Sequence, residues 1–89
     1  MKLTKKDKEY LYNLGHSLED VNHIEQCIRY TKYKDEDGKL ISRKTAIEKL
    51  GRETWLNGVS RSSFHWSAYR QNEDGTQGVY FDSRDYFLN

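Results

Sequence analysis

The chain has 89 residues, 35% of them apolar and 33% charged, with no proline and a single cysteine. That length supports one core and therefore one domain, residues 1–89. One cysteine excludes an internal disulfide and fits a reducing compartment, so a cytoplasmic protein is expected. No apolar run reaches the roughly 20 residues of a membrane span, and the lysines of MKLTKKDKEY precede no signal-peptide h-region. Seven Tyr, three Phe and two Trp argue against disorder.

The net charge of +1 is unevenly spread. Residues 42–70 carry six Lys/Arg against two Asp/Glu, whereas residues 71–89 carry one against four. A phosphate-binding patch needs local positive charge rather than a basic total, and 42–70 can supply it.

In chain order, Thr4 is placed as an N-cap with Asp7 in the first turn. Tyr10, Leu11 and Leu14 then fall at helical spacing before Gly15, which predicts a helix over about 5–14. Ser17 and Asp20 form a capping box for a second helix. Leu18, Val21, Ile24, Ile28 and Thr31 make its apolar stripe, widened by Tyr30 and Tyr33, so it is expected to reach about residue 33 as the longest in the chain. KDEDGK is a turn, and Leu40–Ile41 is a short strand candidate. Ser42 caps a third helix with Ala46, Ile47 and Leu50 inward and Gly51 as its stop. RETWLNG, 52–58, adds a helical turn with Trp55 and Leu56 inward and Gly58 as its stop. Ser60 is read as the cap of a fourth helix over about 60–70, with a Val59–Phe64 hydrophobic staple and Phe64 and Ala68 facing the core. A hairpin joins Ala68–Gln71 to Val79–Asp82 across NEDGTQG. Tyr86, Phe87 and Leu88 are expected to pack back on the body.

The predicted class is mainly α with a small β-hairpin (α+β), in the order α-α-(β)-α-α-β-β. Residues 1–33 are scaffold helices, 42–70 a helix-turn-helix-like segment, and 71–89 a wing and C-terminal strand. A helical bundle with a terminal hairpin is the alternative. TAIEKLG (45–51) and VSRSSFHW (59–66) resemble the helix-turn-helix of small excisionase-like and MerR-like winged-helix proteins of phages and mobile elements. The resemblance covers about half the chain and departs from the pattern in the inserted RETWLNG and in a wing without Lys or Arg. It implies an Ala46 packed between the two helices, a wing at Asp74–Gly75 paired with the 40–41 strand, and a non-enzymatic DNA-binding regulator or directionality factor.

On that reading Ser62, His65, Tyr69 and Arg70 contact bases, and Arg43, Lys44, Arg52 and Arg61 contact phosphates of duplex DNA. The rival is an inhibitor or adaptor that binds a host or defence protein through Trp66, Tyr69 and Tyr80, the residue types of binding hot spots. Modules of this kind often act as dimers, so a homodimer stays open, although no heptad run marks a coiled coil. No metal or cofactor is expected: His23 and Cys27 share a helix face near His16 without a fourth ligand, and that pair also lacks the third group a nucleophile needs. No glycine loop suits a nucleotide phosphate, and neither acidic turn fits a calcium loop.

Overall fold

The structure is a computed structural model that describes residues 2–88. Among these the chain forms α1 (Lys5–Asn13), α2 (Leu18–Cys27), β1 (Lys32–Lys34), β2 (Leu40–Ile41), α3 (Arg43–Leu50), α4 (Arg52–His65), β3 (Ser67–Gln71), β4 (Gly78–Asp82) and α5 (Arg84–Leu88). The strands make one antiparallel sheet in the order β2-β1-β4-β3. The fold is thus α+β, with more sheet than a single hairpin. Among the described residues no helix is long and apolar enough to cross a membrane.

The local signals at the N-terminus act as read. Thr4 and Ser17 each close a full capping box, with Asp7 and Asp20 returning a carboxylate oxygen to the cap N–H. Beyond that point α2 departs from expectation. It ends at Cys27, not near 33, and the chain turns through Ile28–Thr31 into β1. Tyr33 is buried from the sheet, opposite Phe81, rather than from a helix. The Leu40–Ile41 strand forms, but it pairs with β1 and not with the later hairpin, because β1 lies between them.

The larger correction concerns 51–66. Ser42 caps α3 and Gly51 ends it, as its composition indicates. Gly51, at φ 86°, is also the N-cap of α4, so the two helices join through one residue. From there α4 runs unbroken to His65 and is the longest described helix. Ser60 is therefore no cap: it is buried in mid-helix, and its hydroxyl donates to Asn57 O at 2.7 Å. The Val59–Phe64 staple has no helix start to serve. Val59 is in the core and Phe64, expected inward, is exposed.

Gly58 does not stop the helix either, because it packs its bare Cα against the Phe81 ring of β4. The fourth helix does not extend to 70, since 67–71 is β3. The C-terminal strand forms as β4, and after it α5 packs Tyr86 and Phe87 back against His23 as expected, while Leu88 stays exposed.

α4 is the centre of the packing. It touches α1, α2, α3, β3 and β4. Trp55, Leu56 and Val59 lie with Leu11, Val21, Ile24, Ala46, Leu50, Val79 and Phe81 in one core. The Trp55 indole N–H, which needs a partner when buried, donates to Tyr33 Oη at 3.2 Å. Asp7 is also buried, and the bidentate Arg52 guanidinium satisfies it at 3.0 and 2.7 Å, tying α1 to the start of α4.

Candidate functional site

Exposed Tyr80 and half-buried Tyr69 share the sheet face turned away from the helices. Strand alternation explains why. Val79 and Phe81 of β4 point to the core, which leaves Tyr80 outward; Tyr69 lies directly across from it on β3. The two rings sit 4.6 Å apart. Gly78 is also on this face, and a Cβ there would collide with the Tyr69 hydroxyl and with Glu36, so its bareness is what lets Tyr69 lie flat. The Tyr69 hydroxyl donates to Glu36 Oε1 at 2.7 Å, which keeps its proton on and pushes its pKa up.

Trp66 borders the same face. It is 55% exposed and is the one described non-glycine residue at positive φ, 72° with ψ −35°. That conformation is close to the rare, strained γ-turn and is held only where neighbours enforce it. The enforcing contact is Ser83 N–H, which donates to Trp66 O at 2.7 Å. Trp66, Tyr69 and Tyr80 line one groove with Lys34, Asp82 and Arg84. The structure thereby brings together all three residues read as protein-interface candidates.

Charge on this face is self-compensating. Arg84 chelates Asp82, with Nη2 to Oδ2 at 2.9 Å, holding that carboxyl below its usual range. Lys32 pairs with Asp85 at 3.0 Å, and Glu36 lies by Tyr69. Lys32, Lys34 and Arg84 therefore face as many acids in Glu36, Asp82 and Asp85.

The residues expected to read bases are dispersed. Ser62 is fully buried and bonds Ser83 Oγ at 2.8 Å, so it faces no groove. Tyr69 and Arg70 belong to β3, on opposite faces of that strand, and His65 is the last residue of α4. Arg70 donates to Asn57 Oδ1 and to Tyr69 O, both at 2.8 Å. Of the expected phosphate contacts, Arg43 and Lys44 open α3, Arg61 is exposed on α4, and Arg52 is engaged by Asp7 and stacked over Trp55 at 5.1 Å. Arg61, His65 and Arg70 do line a common groove beneath the β3 edge, with Leu14 and Phe64.

A second aromatic group, missed by the sequence reading, surrounds His23. Phe64, Tyr86 and Phe87 lie 4.9, 5.3 and 6.0 Å from its ring, and Phe87 reaches Trp66 at 6.1 Å. His23 Nε2 lies 2.7 Å from Ser63 O, which requires that nitrogen to carry the proton. Cys27 Sγ is 3.6 Å from the same nitrogen, and burial pushes the thiol pKa up. Among the described residues no group of three His, Cys, Asp or Glu is placed to hold a metal ion. The pairing of a Tyr86–Phe87 terminus with an i, i+4 His–Cys helix was the signal available for this cluster.

Comparison with protein-family models, curated proteins and solved structures finds no match. The functional reading therefore rests on the chemistry of these surfaces.

Proposed function

We propose that this chain is a protein-binding adaptor or inhibitor whose anchors are Trp66, Tyr69 and Tyr80. The observation that carries this reading is Trp66, a large aromatic kept exposed at a strained positive φ beside two cross-strand tyrosines. Rigid aromatic side chains at the centre of a patch are what protein interfaces use as hot spots. The balanced charge of the face favours a protein over a polyanion, since phosphate binding draws on uncompensated cations.

The test is retention of proteins from a nuclease-treated lysate of the host cell. Wild type and Lys44→Ala should retain one defined partner. Trp66→Ala should lose it, and Tyr80→Ala should weaken it by about 2 kcal/mol, the hot-spot scale. A partner retained equally by all four chains would sink the proposal.

A second reading, duplex DNA binding, is favoured by the shared groove of Arg61, His65 and Arg70. It predicts a low-salt mobility shift that Arg61→Ala and Arg70→Ala abolish and that Trp66→Ala spares.

A further inference from the structure

β3 is an outer strand of the sheet. Its hydrogen-bond phase follows from its two flanks: Ser83 N–H donates to Trp66 O at 2.7 Å and Asn72 N–H to Gln77 O at 2.9 Å. Bonded positions in an antiparallel pair recur every second residue. Residues 66, 68, 70 and 72 therefore turn to β4, and Ser67, Tyr69 and Gln71 turn their backbone groups to the open side. Among the described residues, the protein group that meets this edge is the Arg70 guanidinium, whose Nη1 donates to Tyr69 O at 2.8 Å. It occupies the carbonyl at the centre of the edge, where an incoming strand would need it.

Arg70 is also unlike the other engaged arginines. Arg52 and Arg84 each hold a carboxylate. Arg70 is half-buried, and both of its hydrogen-bond acceptors, Asn57 Oδ1 and Tyr69 O, are neutral. A bidentate carboxylate bonds a guanidinium about twice as strongly as neutral acceptors do. The groove below adds Arg61 and His65, and its one acid, Asp20, is already held by Ser17 N–H and His16.

From these contacts we infer that the β3 edge is a gated strand-acceptor site. Its occupant is an extended segment of a partner protein bearing an Asp or Glu opposite Arg70. The carboxylate draws the guanidinium off Tyr69 O, and the freed carbonyl pairs with the incoming N–H. Alternate side chains of the added strand then meet Trp66 and Tyr69 on one face and Arg70 and Phe64 on the other. A second copy of this chain fits poorly: SAYRQ has no acid, so edge-to-edge pairing would bring two Arg70 side chains together without a carboxylate. This inference rests on the protein-binding reading and specifies the partner's form and charge.

The test is selection of a random displayed peptide library on the full chain. Enriched peptides should alternate β-branched or aromatic residues and fix one Asp or Glu. Changing that acid to its amide in a synthetic copy should cost about ten- to a hundredfold in affinity. N-methylation should abolish binding at every second residue and be tolerated between. Arg70→Glu, its fold verified by melting, should turn the selection toward Lys or Arg.

Enrichment of helical or basic peptides, N-methyl sensitivity without period two, or no response to Arg70→Glu would each overturn the inference. Failure to enrich any peptide, or β3-dependent self-association in sedimentation, would do the same. If peptides bind and are lost with Trp66→Ala and Tyr80→Ala but not with Arg70→Glu, the edge inference falls while the protein-binding reading survives.

Discussion

Gly58→Ala is a sharp test of the central packing. In a free helix interior the change stabilises by about 1 kcal/mol, because alanine is the better helix former. Here a Cβ would lie 2.6 Å from Phe81 Cε1 and 2.7 Å from Cε2, and closer still to Cζ. Carbon atoms pack at about 3.5–4.0 Å, so α4 and β4 must separate by roughly 1 Å or the ring must turn. The ring is poorly placed to turn: Phe81 is 1% exposed and meets Tyr33 edge-on at 5.4 Å.

Overpacking of this kind costs about 1–3 kcal/mol, and three ring atoms inside contact distance put it at the upper end. Subtracting the propensity gain leaves a net loss of about 1–2 kcal/mol, a Tm drop of roughly 4–16 °C for a domain this size. Reversible thermal and urea melts measure it. Combining the change with Phe81→Leu should give a double variant more stable than additivity predicts, by about 1 kcal/mol, because the new methyl fills the vacated space. A Gly58→Ala protein as stable as wild type, or strict additivity with Phe81→Leu, would refute this account of how α4 meets the sheet.

Burial opposes ionisation of Asp7, but hydrogen bonds from Arg52 and Thr4 outweigh it and hold the carboxyl below its usual range. Its stabilisation is thus present above the unfolded pKa and lost as pH falls through the folded one. Asp7→Asn should cost about 1–2 kcal/mol at neutral pH, with the gap closing below about pH 4 in acid melts. Tyr33→Phe strands the buried Trp55 indole N–H and should cost about 1–3 kcal/mol in urea. Trp66→Gly removes a positive-φ strain, so the melt should be unchanged or improved by up to about 1 kcal/mol while partner binding is lost.

Capping chemistry was legible because it is local: Thr4–Asp7, Ser17–Asp20 and Ser42 each act within one turn. The same logic failed at Gly58 and Ser60, where tertiary contacts decide. A glycine that reads as a stop is a close approach to Phe81, and a serine that reads as a cap is a mid-helix residue bonding its own backbone. α2 was overextended because Thr31 and Tyr33 of the next segment fall in phase with its stripe. The contrary signal was present: TKYK and Leu40–Ile41 flank a turn in which Asp35 Oδ1 accepts from both Asp37 N–H and Lys39 N–H, which is hairpin chemistry. Of the site, the aromatic triad was recoverable by residue type. The grouping depended on seeing 67–71 as a strand, which moves Tyr69 from a helix face to a position across from Tyr80.

Ser62 shows how the two halves of the candidate surface are joined. It was expected to face bases; it lies instead in a buried hydroxyl chain with Ser83 and Thr31, at 2.8 and 2.7 Å. Three hydroxyl protons serve this chain. The Thr31 hydroxyl donates to Cys27 O at 2.9 Å, which leaves Ser83 to donate to Thr31 and Ser62 to donate to Ser83. Ser62 Oγ also lies 3.2 Å from Val59 O, a carbonyl that accepts from the Ser63 hydroxyl at 2.7 Å. Fixing Ser83 in this way fixes its N–H, and that N–H holds the Trp66 carbonyl in its strained turn. The buried serine is thus linked to the exposed tryptophan through Ser83, and its hydroxyl serves an interior hydrogen-bond chain rather than a surface.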